Sequence, residues 1–173
     1  MTTEWLHTMD DMGQTPLTRA SISGRSEVSN LMLMQEVQDD PKRFRELPTL
    51  HRAACWGFDD VVMELIEDGE DVSEIDSQGE TALHKAVRLG HFAVAKVLLE
   101  QDAEVNAADS LGLTALHWAA LTGREAMVEL LLVNYANVDA RDYFAGGMTP
   151  MGIAKLLGYT KIQETMRNRY SIM

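Results

Sequence analysis

Apolar positions in this chain follow a helical spacing in short stretches that polar links separate. In residues 92–100, Val94, Val97 and Leu98 occupy positions i, i+3 and i+4, which places them on one face of a helix. The link that follows, residues 103–112, is mostly polar and ends in the turn-forming pattern Asp-x-x-Gly. The pattern therefore predicts a helix over residues 92–100 and a regular alternation of short helices and loops.

This alternation has a period of 33 residues. The string Thr81-Ala82-Leu83-His84-Lys85-Ala86 returns as Thr114-Ala115-Leu116-His117-Trp118-Ala119, 33 positions later. One step back, Leu50-His51-Arg52-Ala53 lies 33 positions before Leu83-His84-Lys85-Ala86. A fixed period of this length is typical of repeat architectures, in which each unit packs on its neighbours.

Each unit is predicted to form two short antiparallel helices and a loop. Thr81 and Thr114 are placed to cap the first helix, because a threonine oxygen can accept a hydrogen bond from a first-turn N–H. A glycine nine residues beyond this position is placed to end the helix, since glycine readily adopts a left-handed backbone conformation. These glycines are Gly57, Gly90, Gly123 and Gly158.

The period divides the chain into units. Residues 149–158 repeat the pattern after a two-residue insertion, and residues 15–24 repeat it in degenerate form. The predicted organisation follows in chain order: a tail (1–12), a degenerate repeat or helical cap (13–47), three repeats (48–75, 76–108, 109–141) and a C-terminal capping repeat with a tail (142–173).

These motifs resemble the ankyrin repeat, whose hallmark is Gly-x-Thr-Pro-Leu-His-x-Ala-Ala followed by an apolar second helix. The segment Gly112-Leu113-Thr114-Ala115-Leu116-His117-Trp118-Ala119-Ala120 departs from it only by Ala115 in place of proline. The resemblance implies an all-α solenoid of four to five helix-turn-helix repeats with β-hairpin-like loops, in a small stand-alone ankyrin-repeat protein. A fold of this kind hosts many functions.

Composition and charge narrow the class of protein. The chain has 173 residues, 46% of them apolar, and a formal net charge of −12, which disfavours nucleic acid and anionic lipid as partners. Its single cysteine, Cys55, excludes an internal disulfide. The first residues carry no secretory signal, and no apolar stretch approaches the roughly 20 residues that span a bilayer. We therefore expect a monomer in the cytoplasm, the nucleus or both.

No residue pattern indicates catalysis, a cofactor or a metal. His51, His84 and His117 recur at the repeat period, so roughly 8–10 Å separates their positions in packed helices. One zinc ion needs ring nitrogens about 2.0–2.1 Å away. The resemblance instead implies that each imidazole bonds to backbone in the turn of its own or the next repeat. Phosphate-binding loops, nucleophile elbows and zinc-protease motifs are absent from the sequence.

The resemblance also implies a partner surface, formed by the loop tips and the exposed side of the first helices. Aromatic residues and leucines are frequent at these positions, as they are at interface hot spots. For the last repeat, sealing the end of the stack explains such residues equally well. Asn106 lies where ankyrin repeats are often hydroxylated. The expected partner-binding residues are Trp56, Arg88, Leu89, Leu111, Leu113, Trp118, Leu121, Tyr143, Phe144 and Met148.

Acidic residues concentrate in one repeat. Residues 53–80 contain ten Asp or Glu and no Lys or Arg, whereas residues 143–173 contain four Lys or Arg and one Glu. The acidic run is explained either as a solvated face that maintains solubility or as a site that steers a basic partner segment.

Three functions remain open at this point. The first is a non-catalytic adaptor or scaffold that binds a partner protein through its concave groove and loop tips. The second is a regulatory inhibitor that masks a basic or functional surface of a kinase or transcription factor. The third is a subunit of a larger enzyme or ubiquitin-ligase complex that acts as substrate receptor.

Overall fold

The computed structural model describes residues 48–143 and 147–170. The predicted units 1–12 and 13–47, and Phe144 of the expected partner surface, lie outside these residues. The described part consists of helices and loops, and it contains no β-strand beyond two isolated bridges. The all-α class that the resemblance implies is confirmed.

The described residues form eight helices, arranged in four pairs. The first helices of the pairs are α1 (Thr49–Trp56), α3 (Ala82–Leu89), α5 (Ala115–Leu121) and α7 (Pro150–Leu156). The second helices are α2 (Asp59–Glu67), α4 (Phe92–Glu100), α6 (Glu125–Val133) and α8 (Thr160–Tyr170). The helix predicted over residues 92–100 is α4, with the same bounds.

The helices pack in two parallel rows. Helices α1, α3, α5 and α7 contact one another in that order, and α2, α4, α6 and α8 form the second row behind them. Each helix also packs on the other helix of its own pair. Contacts therefore run only between neighbouring units, as the repeat period predicts.

The core lies between the two rows and repeats with the sequence. Leu50, Leu83 and Leu116, at equivalent positions of the first helices, are completely or almost completely buried. Burial of a leucine side chain contributes about 1.5–3 kcal/mol. Alanines such as Ala86 and Ala119 lie beside them and are also fully buried, and their small size lets the first helices approach closely.

The loops form tight turns that stack on one another. Antiparallel bridges join Ile75 to Thr81 and Ala108 to Thr114, which gives these two loops a hairpin-like base. The Ser110 N–H donates to the Gln78 carbonyl at 3.0 Å, and the Tyr143 N–H donates to the Leu111 carbonyl at 2.8 Å. These backbone bonds hold the loop tips in a row along one edge of the stack.

Three histidines connect the first helices α1, α3 and α5 to the loop of the next repeat. Nε2 of His51 lies 2.8 Å from the Glu80 carbonyl, Nε2 of His84 lies 3.1 Å from the Leu113 carbonyl, and Nε2 of His117 lies 3.2 Å from the Met148 carbonyl. All three rings are buried. The histidines therefore set the position of each loop relative to the helix before it.

Candidate functional site

An aspartate at the base of each loop shapes the row of loop tips. Asp76, Asp109 and Asp142 lie 33 positions apart, and all three are buried. Oδ1 of Asp109 accepts hydrogen bonds from the N–H groups of Leu111 and Leu113 at 2.8 and 2.9 Å. Oδ1 of Asp76 accepts two equivalent bonds. One carboxylate oxygen therefore closes the turn in each loop.

The second carboxylate oxygen meets a different partner in each repeat. Asp76 Oδ2 lies 2.6 Å from Nζ of Lys85, and Asp109 Oδ2 accepts a hydrogen bond from Nε1 of Trp118 at 3.3 Å. Lys85 and Trp118 hold the same position, four residues beyond the capping threonine. In the last repeat the equivalent residue is Ile153, whose side chain has no donor.

An apolar pocket of about 250 Å³ opens beside Asp142. We call it the leucine pocket. Its walls come from the third described repeat on one side and from the last repeat on the other. Leu111 and Leu121 are 43% and 42% exposed, and Leu156 is 71% exposed, so the apolar surface is accessible. The lining residues are Leu111, Leu113 and Leu121, together with Asp142, Met148, Ile153, Leu156 and Leu157.

Four of the ten residues expected at the partner surface line this pocket: Leu111, Leu113, Leu121 and Met148. Tyr143 is 76% exposed at the adjacent loop tip. These five residues come together at the junction of α5, α7 and the last two described loops.

Four other expected partner residues make contacts within the chain. The Arg88 guanidinium lies 5.3 Å from the ring centroid of Trp118, and Trp118 is further held by its bond to Asp109. The Leu89 carbonyl accepts a hydrogen bond from Arg124 at 3.1 Å. Trp56 packs edge to face on Phe58, with ring centroids 5.9 Å apart. All four side chains are half-buried, so their exposed area is smaller than sequence position alone suggests.

The acidic run is not entirely a surface feature. Asp76 and Glu80 are buried, and both form ion pairs with the buried ammonium group of Lys85. Arg88 lies 3.4 Å from the same Glu80 carboxylate. Two of the ten acidic residues of segment 53–80 thus belong to a buried ionic cluster, and the interpretation of the whole run as one solvated face is wrong for them.

Contacts within the ionic cluster shift the pKa values of Asp76 and Lys85. Burial alone would raise the pKa of Asp76, but the hydrogen bonds from Lys85 and two backbone N–H groups hold it below its usual value. Burial would lower the pKa of Lys85, but its bonds to Asp76 and Glu80 raise it above its usual value. Asp76 and Lys85 are therefore both charged near neutral pH, and the cluster is a structural element of the first loop.

Nucleophiles and metal ligands are not assembled by the described part of the chain. Burial raises the pKa of the Cys55 thiol to about 11, which keeps it protonated and unreactive at neutral pH. Among the described residues, no group of three or more His, Cys, Asp or Glu side chains is arranged to hold a metal ion. Every helix of this part is too short or too polar to cross a lipid bilayer.

Asn106 closes the link between two repeats. Its Oδ1 accepts a hydrogen bond from the Asn137 N–H at 2.7 Å, and its Nδ2 donates to the Tyr135 carbonyl at 3.3 Å. The residue is exposed, and its hydroxylation stays a prediction.

Asp142 and Ile153 were not among the expected partner residues. The signal that could have found them is the comparison of equivalent positions: Asp142 continues the series Asp76 and Asp109, whereas Ile153 interrupts the series Lys85 and Trp118. A position at which the repeats differ therefore says more about the candidate binding surface than a position at which they agree.

The paired helices, stacked hairpin-like loops and accessible apolar surface define a helical repeat protein of the interaction type. A family model described as ankyrin repeats (three copies) matches residues 30–109 and 50–142. These matches cover more than half of the chain, which belongs to the ankyrin-repeat family. Ankyrin repeats are generally non-catalytic modules for protein–protein interaction. A comparison with curated proteins finds no match.

Proposed function

We propose that this protein is a non-catalytic interaction module that binds a partner protein at the leucine pocket and the adjacent loop tips. The accessible apolar surface of the pocket carries the proposal. Solvent-exposed leucines grouped around a concavity are costly in a water-soluble surface, and such groups mark interaction sites. The stacked loops and the histidine bonds hold the pocket rigid, so little conformational entropy is lost on binding.

The test replaces exposed leucines of the pocket. Leu111→Ser together with Leu121→Ser removes apolar contact area at two positions that are open to solvent, so the fold is preserved. We expect the yield of a captured partner to fall by at least about tenfold, since an interface hot spot contributes about 2 kcal/mol or more. Affinity capture with tagged full-length chain, quantified by mass spectrometry, measures this loss.

A double variant at a different surface serves as the matched control. Val61 and Val133 are 41% and 59% exposed on α2 and α6, in the other row of helices. Val61→Ser with Val133→Ser should leave capture unchanged. Equal capture by the wild type and the leucine double variant, with both folded by circular dichroism, would rule out the pocket as the binding surface.

A second candidate function is masking of a basic segment on a partner. Eight carboxylates of segment 53–80 lie outside the ionic cluster, and most of them are exposed. A field of this sign attracts a basic segment and accelerates its association. This supports a regulatory inhibitor as a variant of the same interaction module.

A further inference from the structure

The leucine pocket occupies the place that two large side chains fill one repeat earlier. At the junction of α3 and α5, the Trp118 indole and the Arg88 guanidinium pack on each other beside Asp109. One period later, Ile153 stands in place of the tryptophan and Leu121 in place of the arginine. Both replacements are shorter, so the equivalent space stays open at the junction of α5 and α7.

The same replacements remove a hydrogen-bond donor. Oδ1 of Asp142 accepts a bond from the Met148 N–H at 2.8 Å, as in the other loops. Oδ2 receives no hydrogen bond from any residue that the structure describes, whereas the equivalent oxygens of Asp76 and Asp109 are bound by Lys85 and Trp118. Asp142 is only 9% exposed and lines the pocket. The pocket therefore combines apolar walls with a carboxylate oxygen that has no donor among the described residues.

A cationic donor that reaches this oxygen gains both a hydrogen bond and a charge interaction, and the surrounding apolar walls exclude water from the pair. The walls are leucine, isoleucine and methionine, which suit a methylene stem. Lysine and arginine carry a cationic N–H group on such a stem, and they bury the stem while the charge stays paired. The exposed carboxylates of segment 53–80 attract a cationic segment to the stack more strongly than a neutral one.

We propose that the leucine pocket binds a lysine or arginine side chain of the partner, with its stem between Leu121 and Ile153 and its cationic group on Asp142 Oδ2. The partner thus supplies the donor that the chain itself supplies in the two preceding loops. This inference rests on the proposed function, since it names the chemistry recognised at the same site. It identifies the partner segment as one that has a basic residue next to apolar residues.

Peptide selection on the full-length chain tests the inference. A displayed library of random dodecapeptides is panned against the wild type, and the enriched peptides are synthesised. Each basic residue is then replaced by norleucine, which keeps the apolar stem and removes the charge and the donor. We expect one such replacement to weaken binding about tenfold, the size of a charged hydrogen bond. Fluorescence anisotropy measures the affinities.

The variant Asp142→Asn assigns the effect to one oxygen. Asparagine keeps an oxygen that accepts from the Met148 N–H, but it replaces Oδ2 by an NH2 group. This group cannot accept a hydrogen bond from a lysine or arginine side chain. On this variant the basic and norleucine peptides should bind equally well, so the double-mutant cycle shows coupling between peptide and Asp142.

Substitution of Ile153 gives an independent measurement. Ile153→Lys places a lysine at the position of Lys85 and should fill the pocket from within. We expect loss of peptide binding together with a higher urea midpoint, and the gain in midpoint should vanish in Ile153→Lys/Asp142→Asn. The loss of peptide binding in the single variant Ile153→Lys still tests the inference if Asp142→Asn fails to fold.

The outcomes separate the two proposals. Some peptides could lose binding with Leu111→Ser/Leu121→Ser but show no coupling to Asp142. Others could place a tryptophan or leucine in the pocket instead of a basic residue. Either result would overturn the basic-residue inference and leave the proposed function standing. Peptides that bind the leucine double variant as tightly as the wild type contradict both. Enrichment of no peptide at all counts against a pocket that recognises a linear basic segment.

Discussion

At the scale of single residues, the structure shows why a glycine ends the first helix of a repeat. Gly57 has φ of +76°, a left-handed conformation that L-residues rarely adopt. A β-carbon at this position would lie 2.5 Å from Nδ1 of His91. The His91 ring cannot move freely, because its Nε2 bonds to the Cys55 carbonyl at 2.8 Å. Conformation and space thus select glycine independently.

These two causes can be separated by mutation. Gly158 has the same φ of +76°, but a β-carbon there meets no atom within 4 Å. We expect Gly158→Ala to lower the free energy of unfolding by about 1–2 kcal/mol, the cost of a left-handed L-residue. Gly57→Ala should lower it by about 1 kcal/mol more, because the His91 hydrogen bond is also lost. Urea denaturation of both variants measures the difference.

A double variant checks the assignment to His91. In a His91→Ala background the steric conflict is gone, so Gly57→Ala should cost no more than Gly158→Ala. An extra cost of Gly57→Ala that persists in this background would show that the histidine ring is not its cause.

At the scale of a helix, the N-terminus of α3 is closed by a reciprocal pair of side chains. Thr81 caps the helix by accepting from the His84 N–H at 3.4 Å, and Nδ1 of His84 accepts from the Thr81 N–H at 3.1 Å. Because Nδ1 accepts, the proton of the neutral ring sits on Nε2, which donates to the Leu113 carbonyl. The cap of one repeat and the loop of the next therefore depend on the same neutral imidazole.

This dependence predicts sensitivity to acid. Burial lowers the pKa of His84, His91 and His117 below the usual value of 6.5. The unfolded chain therefore binds protons more readily than the folded one. The contribution of these neutral histidines to the free energy of unfolding is complete above pH 6.5. It is lost progressively as the pH falls through 6.5 toward their pKa values in the folded state.

Two measurements check this prediction. The free energy of unfolding in urea should be lower at about pH 5.5 than at about pH 7.5. In the folded protein, the NMR signals of the three imidazoles should titrate below pH 6.5. Titration of His84 at or above 6.5 would contradict the proposed role of burial.

At the scale of the whole molecule, charge changes sign along the stack. Segment 53–80 carries ten acidic and no basic residues, and segment 143–173 carries four basic and one acidic residue. The buried cluster neutralises only Asp76 and Glu80, so the first described repeat keeps a strong negative field. A basic partner segment should therefore be oriented before it reaches the leucine pocket.

This orientation predicts a salt-dependent association rate. Added salt shortens the range of surface fields, so association of a captured basic partner should slow by about tenfold or more as ionic strength rises from about 0.02 to about 0.5 M. The triple variant E64Q/E67Q/D68N should reduce this dependence. Stopped-flow or surface-based kinetics measure the rates.

The matched control changes the same types of residue elsewhere. E100Q/D102N/E129Q also removes two glutamates and one aspartate, but from the next two repeats. If both triple variants alter the salt dependence equally, net charge controls association and the acidic repeat has no special role.

Most of the fold could be predicted from the sequence, because the same pattern of capping residues and apolar spacing occurs in several repeats. The bounds of α4, the capping threonines and the alternation of helices all follow from local spacing. The orientation of Arg88 and Trp118 could not be predicted, since it depends on their contact with each other and with Asp109. The leucine pocket could not be predicted either, because it is the space that Ile153 and Leu121 leave open where larger side chains fill the equivalent place one repeat earlier.

The histidine bonds give the stack a direction. In each bond the donor belongs to one unit and the acceptor to the unit that follows, so the units built on Thr81 and Thr114 each offer a ring on one side and a carbonyl on the other. Such a unit could be duplicated between its neighbours without leaving either group unmatched. In the unit built on Thr149, Gly152 stands where His84 and His117 stand before it. In the language of modular assembly, this unit accepts the connector of the unit before it and has no histidine connector of its own.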